Sequence, residues 1–493
     1  MTPLLRGSAG AVACAHPLGV EAGVEALRNG GGAVDAALAA AAVLSVVLPD
    51  ACGIGGDAMF LVREPRGRVL AFNGSGAAPA ALVPPIPDDG PGTVAVPGAV
   101  AAWEAAHARY GRLPFEAALR PARRLAAEGF ALGEPLASAL DQHRGRLDRW
   151  APDWELLRYA RAPGSRVQQP RLAALLERIG CEGATALYHG EMAAAVARTA
   201  AEGGAALSAR DLELHATPVL APLRRSHLGA SVVVQPPVSQ GLLVLMALGV
   251  LERAGELGGT ERRRLALEAI EAAFQHRDCI AAEGAADRLL SLALEERAPA
   301  ADPDRAPAGG DHTTAVATAD ADGMVVSMLI SVFHLFGSAT LVPDGGFLLN
   351  NRLKGFATDP ASPNAPAPGR RPVHTLSPLL LERDEKIVAL ATPGADGQVQ
   401  TLVQLVEALL ADGVGLPEAL HRPRWRLADG RLLLETGFPP DEARRLAALG
   451  YDAITLPAGA RPFGAAVAAG FDRAAGTVFA CPDSRREAWA GVC

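Results

Sequence analysis

The chain has 493 residues, with 46 Lys+Arg against 54 Asp+Glu and a formal charge of −8. That acidic balance excludes a polyanionic partner such as nucleic acid and a polybasic membrane anchor, and 4% aromatic residues leave little for base stacking. Apolar residues at 49% supply a large core. In chain order, Val20, Val24 and Leu27 repeat at helical spacing before Asn29-Gly30-Gly31-Gly32 stops the helix. Ala33 to Leu48 predicts a second, Ala-rich helix ending at Pro49. Gly53-Ile54-Gly55-Gly56 leads into two strands, Ala58–Val62 and Val69–Phe72, joined by a turn over Arg63–Arg68. Residues 99–295 read as mostly helical, including a helix over Pro121–Glu128 with proline at its first position and another over Arg262–Phe274. Ala230–Val234 is the strand exception.

Residues 298–311 break the pattern, with three prolines and two glycines in a short polar tract. Alone, such a tract reads as a linker between two halves. Strand-like periodicity follows at once: Thr314–Ala319, a turn at Asp320-Ala321-Asp322-Gly323, then Met324–Phe333. Further strands are expected at Phe347–Leu349, Leu379–Leu381, Ile387–Leu390 and Ala465–Ala468, and helices at Gln400–Leu410 and Pro440–Leu449.

Several chemistries find no motif. The six cysteines are scattered without a C-x-x-C pair, so neither a disulfide framework nor a zinc site is expected, and a reduced compartment is implied. The eleven histidines contain no metal-spaced pair. No metal or other cofactor is expected. Gly53-x-Gly55-x-x-Ala58 follows a helix and opens a strand, the reverse of a dinucleotide-binding loop. The N-terminus lacks the charged and apolar regions of a signal peptide. The run Ala36–Leu48 is also shorter than the roughly 20 residues that span a bilayer. A cytoplasmic protein is the expectation.

What remains is an ordered set of segments. It starts with His16-Pro17-Leu18, Asn29-Gly30-Gly31-Gly32-Ala33-Val34-Asp35-Ala36-Ala37, Gly53-Ile54-Gly55-Gly56-Asp57, Asn73-Gly74-Ser75-Gly76-Ala77-Ala78-Pro79 and Val94-Ala95-Val96-Pro97-Gly98. It continues with Thr313-Thr314, Asp322-Gly323, Phe336-Gly337-Ser338, Leu349-Asn350-Asn351-Arg352 and Arg371-Pro372-Val373-His374-Thr375-Leu376-Ser377-Pro378. Pro393-Gly394-Ala395-Asp396 and Pro423-Arg424-Trp425 complete it. In this order and over most of the chain, the set resembles the γ-glutamyltransferase family of N-terminal-nucleophile hydrolases.

The resemblance implies an α+β fold, a four-layer αββα sandwich. It implies a precursor that cuts itself between His312 and Thr313, giving a large chain 1–312 and a small chain 313–493 within one structural unit. Thr313 would then carry a hydroxyl nucleophile and a free α-amine. With an intrinsic pKa of about 7.7–8.0, that amine is an adjacent base, so no histidine is required. Ser331 matches a hydroxyl that hydrogen-bonds the nucleophile. Gly394 and Ala395 match the loop whose amides form the oxyanion hole, although Pro393-Gly394-Ala395 by itself reads as a turn. Thr314, Phe333, Arg352, His374 and Thr375 are the expected substrate contacts. His334 either lines the pocket or sits at the strand end.

Departures from γ-glutamyl transferases narrow the substrate. The arginine those enzymes carry before the Ala-Pro of the first hairpin is missing from Asn73-Gly74-Ser75-Gly76-Ala77. The acid that should hold an α-amine is replaced by Gly355, and the paired serines by His374-Thr375. A zwitterionic glutamyl head needs a fixed cation and a fixed anion. The residues instead resemble the branch containing acylases, an oxamate amidohydrolase and antibiotic-biosynthesis homologues that split a C–C bond. Arg352 becomes the candidate carboxylate clamp, its alternative being a solvated surface arginine. The expected partners are thus a small carboxylate-bearing molecule and the protein's own two fragments. Genuine γ-glutamyl transfer, with Arg352, Arg370 or Arg371 substituting, is the second reading, and a non-catalytic binding protein the third.

Overall fold

The computed structural model describes residues 3–493 except 161, 256, 293–312, 429, 449 and 487. The tract 298–311 and His312 of the expected cleavage bond lie outside the described residues. Two seven-stranded sheets, antiparallel throughout, form the centre. One runs Leu5–Gly7, Thr477–Pro482, Val467–Asp472, Lys386–Ala391, Leu379–Arg383, Ala230–Val234, Leu223–His227. The other runs Trp489–Val492, Gly10–Cys14, Thr314–Asp320, Val325–Ser331, Asp57–Arg63, Val69–Gly74, Val219–Leu220.

Side-chain alternation explains the layering. Ala315, Ala317 and Ala319 face Ala389, Ala391 and Ala469 between the sheets, where small side chains let the layers approach. Val316, Met328, Ile330 and Phe60 point the other way, into a core shared with the helices Pro17–Arg28 and Ala33–Val47. The first sheet is covered outside by Gly241–Arg253, Gly259–Phe274 and Gly397–Leu410. Helices therefore lie outside both sheets, as the four-layer αββα expectation requires. No described helix is long and apolar enough to cross a membrane.

Two elements differ from expectation for clear reasons. Pro121 lies inside a longer helix, Phe115–Glu128, because the apolar stripe extends upstream through Ala118 and Leu119, both buried. The strand expected at Ala465–Ala468 starts later, at Val467, and runs to Asp472. A 3-10 turn at Arg461–Phe463 with Gly464 at φ +69° must first be completed.

Candidate active site

The site begins where the strand Thr314–Asp320 begins. Thr313 precedes it in phase with Ala315 and Ala317, so alternation aims its side chain between the sheets. On the neighbouring strand Val325–Ser331, the same face carries Val325, Leu329 and, at its end, Ser331. The hairpin thus juxtaposes two hydroxyls: Thr313 Oγ1 donates to Ser331 Oγ at 3.3 Å, and Ser331 Oγ also accepts the Phe333 amide at 2.9 Å. Thr314, expected among the substrate contacts, is turned to the opposite face. Its hydroxyl donates to Ile330 O at 3.4 Å, so adjacent threonines on one strand cannot both serve the site.

Asp57 stands directly opposite Ser331 in the next strand. It is fully buried, and three segments converge on it. Arg352 Nε donates to Asp57 Oδ2 at 2.6 Å, His374 Nε2 to the same oxygen at 3.2 Å, and the Gly76 amide to Oδ1 at 3.3 Å. Burial pushes the Asp57 carboxyl up, but the Arg352 guanidinium and the His374 ring outweigh it and hold it below its ordinary value. His374 is expected to face substrate; instead both ring nitrogens are occupied, since Nδ1 accepts the Leu376 amide at 3.1 Å. Burial, then the Arg352 charge, lowers its pKa to about 4, so the ring is neutral and carries its proton on Nε2.

Arg352 is no surface arginine. It is 0% exposed, and its guanidinium lies 4.3 Å from the centroid of the Phe333 ring. Asp57 occupies Nε alone. Nη1 and Nη2 are buried with no hydrogen-bond partner among the described residues, which is the unusual state for a charged donor. Phe333 holds its place at φ +82°, a conformation uncommon for a bulky residue. His334 stacks on Phe333 at 4.5 Å and is fixed by Asn351 Nδ2 on its Nδ1 at 2.8 Å. It therefore packs against the Phe333 ring that covers Arg352, three residues past the strand end at Ser331. Burial, then Arg352, lowers its pKa to about 4.

The remaining expected residues lie on the first sheet's side. The strand Lys386–Ala391 leads into Pro393–Asp396, with Gly394 at φ +126° and Ala395 at φ +48°. Neither the Gly394 nor the Ala395 amide donates to another described backbone group. This loop is tied to the rest of the site by Gln240, whose Nε2 bridges Ala395 O and Thr375 O. An unbroken set of contacts therefore links Ala395 through Gln240, Thr375, His374 and Asp57 to Ser331 and Thr313.

Two close approaches bear on the head group. A Cβ at Gly76 would lie 1.5 Å from Val96 O, and one at Gly355 would lie 3.2 Å from Val373 O. No side chain fits at 76, and one at 355 would crowd Pro372 and Val373, the segment leading to His374. Arg371 donates to Ser75 O and Ala216 O, while Arg370 donates to Pro363 O and Ala281 O. Both guanidinium groups are thus anchored on backbone carbonyls. Asp57 and Gln240 were given no role from the sequence; an acid at an inter-sheet position of an otherwise apolar strand was the available signal for Asp57.

Residues 19–493 match the family model described as Gamma-glutamyltranspeptidase. The chain belongs to the gamma-glutamyltranspeptidase family. Among relatives, it is 32% identical over 479 residues to the oxamate amidohydrolase proenzyme of Klebsiella pneumoniae, covering 90% of each chain. It is 31% identical over 496 residues to the acylase ACY 1 proenzyme of a Pseudomonas species, covering 92% of this chain and 88% of that one. The crystal structure of cephalosporin acylase from Bacillus halodurans superposes with a TM-score of 0.91 at 28% identity, covering 100% of this chain and 97% of that one. Membership of this family makes the chain an enzyme of the hydrolase and acyltransferase type.

Proposed function

We propose that this gamma-glutamyltranspeptidase-family enzyme is a self-processing threonine hydrolase acting on a small substrate that carries a carboxylate but no α-ammonium group. The observation that carries this reading is the buried Arg352, anchored through Nε on Asp57 and with both Nη atoms unpaired. Two parallel N–H donors of a planar guanidinium match one carboxylate bidentately. Asp57 is taken by Arg352 and His374, and position 355, where an acid would hold the ammonium group, is a packed glycine. Relatives named as an oxamate amidohydrolase and an acylase support the same class of reaction.

The precursor bond 312–313 breaks first, leaving Thr313 with a free α-amine. The strands on either side of that bond interleave in both sheets, which keeps the fragments together. The amine takes the Oγ1 proton as the oxygen attacks the substrate carbonyl. Ser331 fixes the rotamer of the attacking hydroxyl. The Gly394 and Ala395 amides receive the oxyanion, and the proton passes to the leaving nitrogen as the acyl–threonine ester forms. Water then reverses the sequence and releases the carboxyacyl group. The same nucleophile serves an amide or an equally activated carbonyl.

A panel of p-nitroanilides tests the reading: oxalyl, succinyl and glutaryl against γ-glutamyl. The unsubstituted acids are expected to turn over at least about tenfold faster than the γ-glutamyl compound, the discrimination of one unpaired charge. Preference for γ-glutamyl would contradict it.

A further inference from the structure

One buried side chain touches the oxyanion loop and has no part in the chemistry above. Gln240 is 0% exposed and immediately precedes the helix Gly241–Arg253. Its segment is fixed at two points: Gln240 N donates to His374 O at 2.9 Å, and Val238 O accepts from His374 N at 2.8 Å. Next to it, Ser239 Oγ donates to Leu376 O at 2.6 Å. The amide group then spends both hydrogens on carbonyls, Ala395 O at 3.0 Å and Thr375 O at 3.3 Å. Those two acceptors settle which end of the amide is nitrogen.

Ala395 needs such a hold. Its φ of +48° is a left-handed conformation that disfavours any residue with a Cβ. Two carbonyls determine the two peptide planes around it. Gly394 O accepts from Gly397 N at 2.7 Å, which turns the Ala395 N–H the opposite way. Ala395 O accepts from Gln398 N at 3.1 Å and from Gln240 Nε2. Without Gln240 the second plane keeps only the first-turn bond of a helix, and Ala395 can relax towards negative φ. That rotation carries its N–H out of line.

We propose that Gln240 is a positioning residue for the oxyanion hole: its side-chain amide holds Ala395 left-handed so that the Ala395 N–H stays aimed at the tetrahedral oxygen. Gln240 touches no substrate in this role. It also makes the small chain's oxyanion loop dependent on a residue that precedes Thr313 by a long stretch of sequence. The inference rests on the assignment of Thr313 and the Gly394–Ala395 loop made under the proposed function.

The test uses Gln240→Met, which keeps the length of the side chain and removes its donors, in the full processed protein. Carboxypropyl boronic acid forms a tetrahedral adduct on the threonine hydroxyl and reports the hole; glutarate reports ground-state carboxylate binding alone. The variant is expected to bind the boronate about 10- to 100-fold more weakly, approaching the loss of one oxyanion donor. Its affinity for glutarate should stay within about twofold, the pattern of an interaction made only in the transition state. Adding Ala395→Gly to Gln240→Met should recover at least about fivefold, because glycine adopts positive φ without strain. Equal boronate affinity in wild type and Gln240→Met overturns the role of Gln240 and leaves Thr313 standing. Parallel loss of boronate and glutarate binding, or no rescue by glycine, assigns Gln240 a merely structural function and also overturns it. A wild type that forms no adduct on Thr313 overturns the nucleophile assignment and this inference together.

Discussion

The proposed nucleophilic and recognition halves of this site are built in opposite ways. Thr313 and Ser331 lie on the two strands of one hairpin, eighteen residues apart, and meet because adjacent antiparallel strands put matching faces together. Arg352, Asp57 and His374 come from three distant segments and meet only because the second sheet, a 3-10 turn and the Ser239–His374 bridge converge. Damage should therefore differ in kind. Local changes in the hairpin should abolish chemistry with the fold intact, whereas changes in the charged cluster should couple substrate affinity to stability.

The largest effect is expected from Thr313→Ala, which on this proposal removes nucleophile and cleavage together. The chain should stay uncut on electrophoresis and lose at least about 10⁴ in turnover of the carboxyacyl anilides. Persistent cutting would shift the nucleophile elsewhere. Next comes the recognition half. Arg352→Lys keeps the charge but loses the fork, so KM should rise about 10- to 100-fold with kcat little changed. Asp57→Asn leaves a buried guanidinium without its counter-charge, a loss of about 3–5 kcal/mol that urea unfolding would reveal. A stable Asp57→Asn protein with unchanged KM would uncouple the two halves of the comparison.

A smaller, graded effect is expected with pH. His374 is held down to about 4 in the folded chain, against an ordinary 6.5. Between those values the unfolded chain binds the extra proton, so stability falls as pH drops from about 6.5 towards 4. The decline in Tm over that range should be shallower in His374→Gln. The smallest effect belongs to Thr314→Val, whose hydroxyl faces away from Thr313, onto Ile330 O and the Cys52 thiol. Turnover should be unchanged and stability should shift by about 1 kcal/mol or less. A large loss of activity there would restore Thr314 to the substrate side.

Legibility in the sequence follows the same division. The hairpin Thr314–Asp320 with Val325–Ser331 and the helix Ala33–Val47 were readable because period and turn residues act locally, whereas the four layers came from the family resemblance. Thr314 was misplaced although alternation alone determines its face, since the family pattern outweighed the simpler rule. Arg352 was singled out as a carboxylate clamp, but its burial was not foreseen, because no local pattern reveals that Asp57 lies beneath it. His374 was assigned to substrate for the same reason: its partner is 317 residues away. Gln240 carried no signal, since a glutamine before a helix is ordinary until its amide is seen on Ala395 O.

The central claim is that an internal threonine becomes the first residue of a chain and acts from there. N-terminal sequencing and intact mass of purified, turnover-competent protein test it directly. The account predicts two tightly associated polypeptides, one of them starting at Thr313. A fully active preparation consisting of one continuous polypeptide would contradict it.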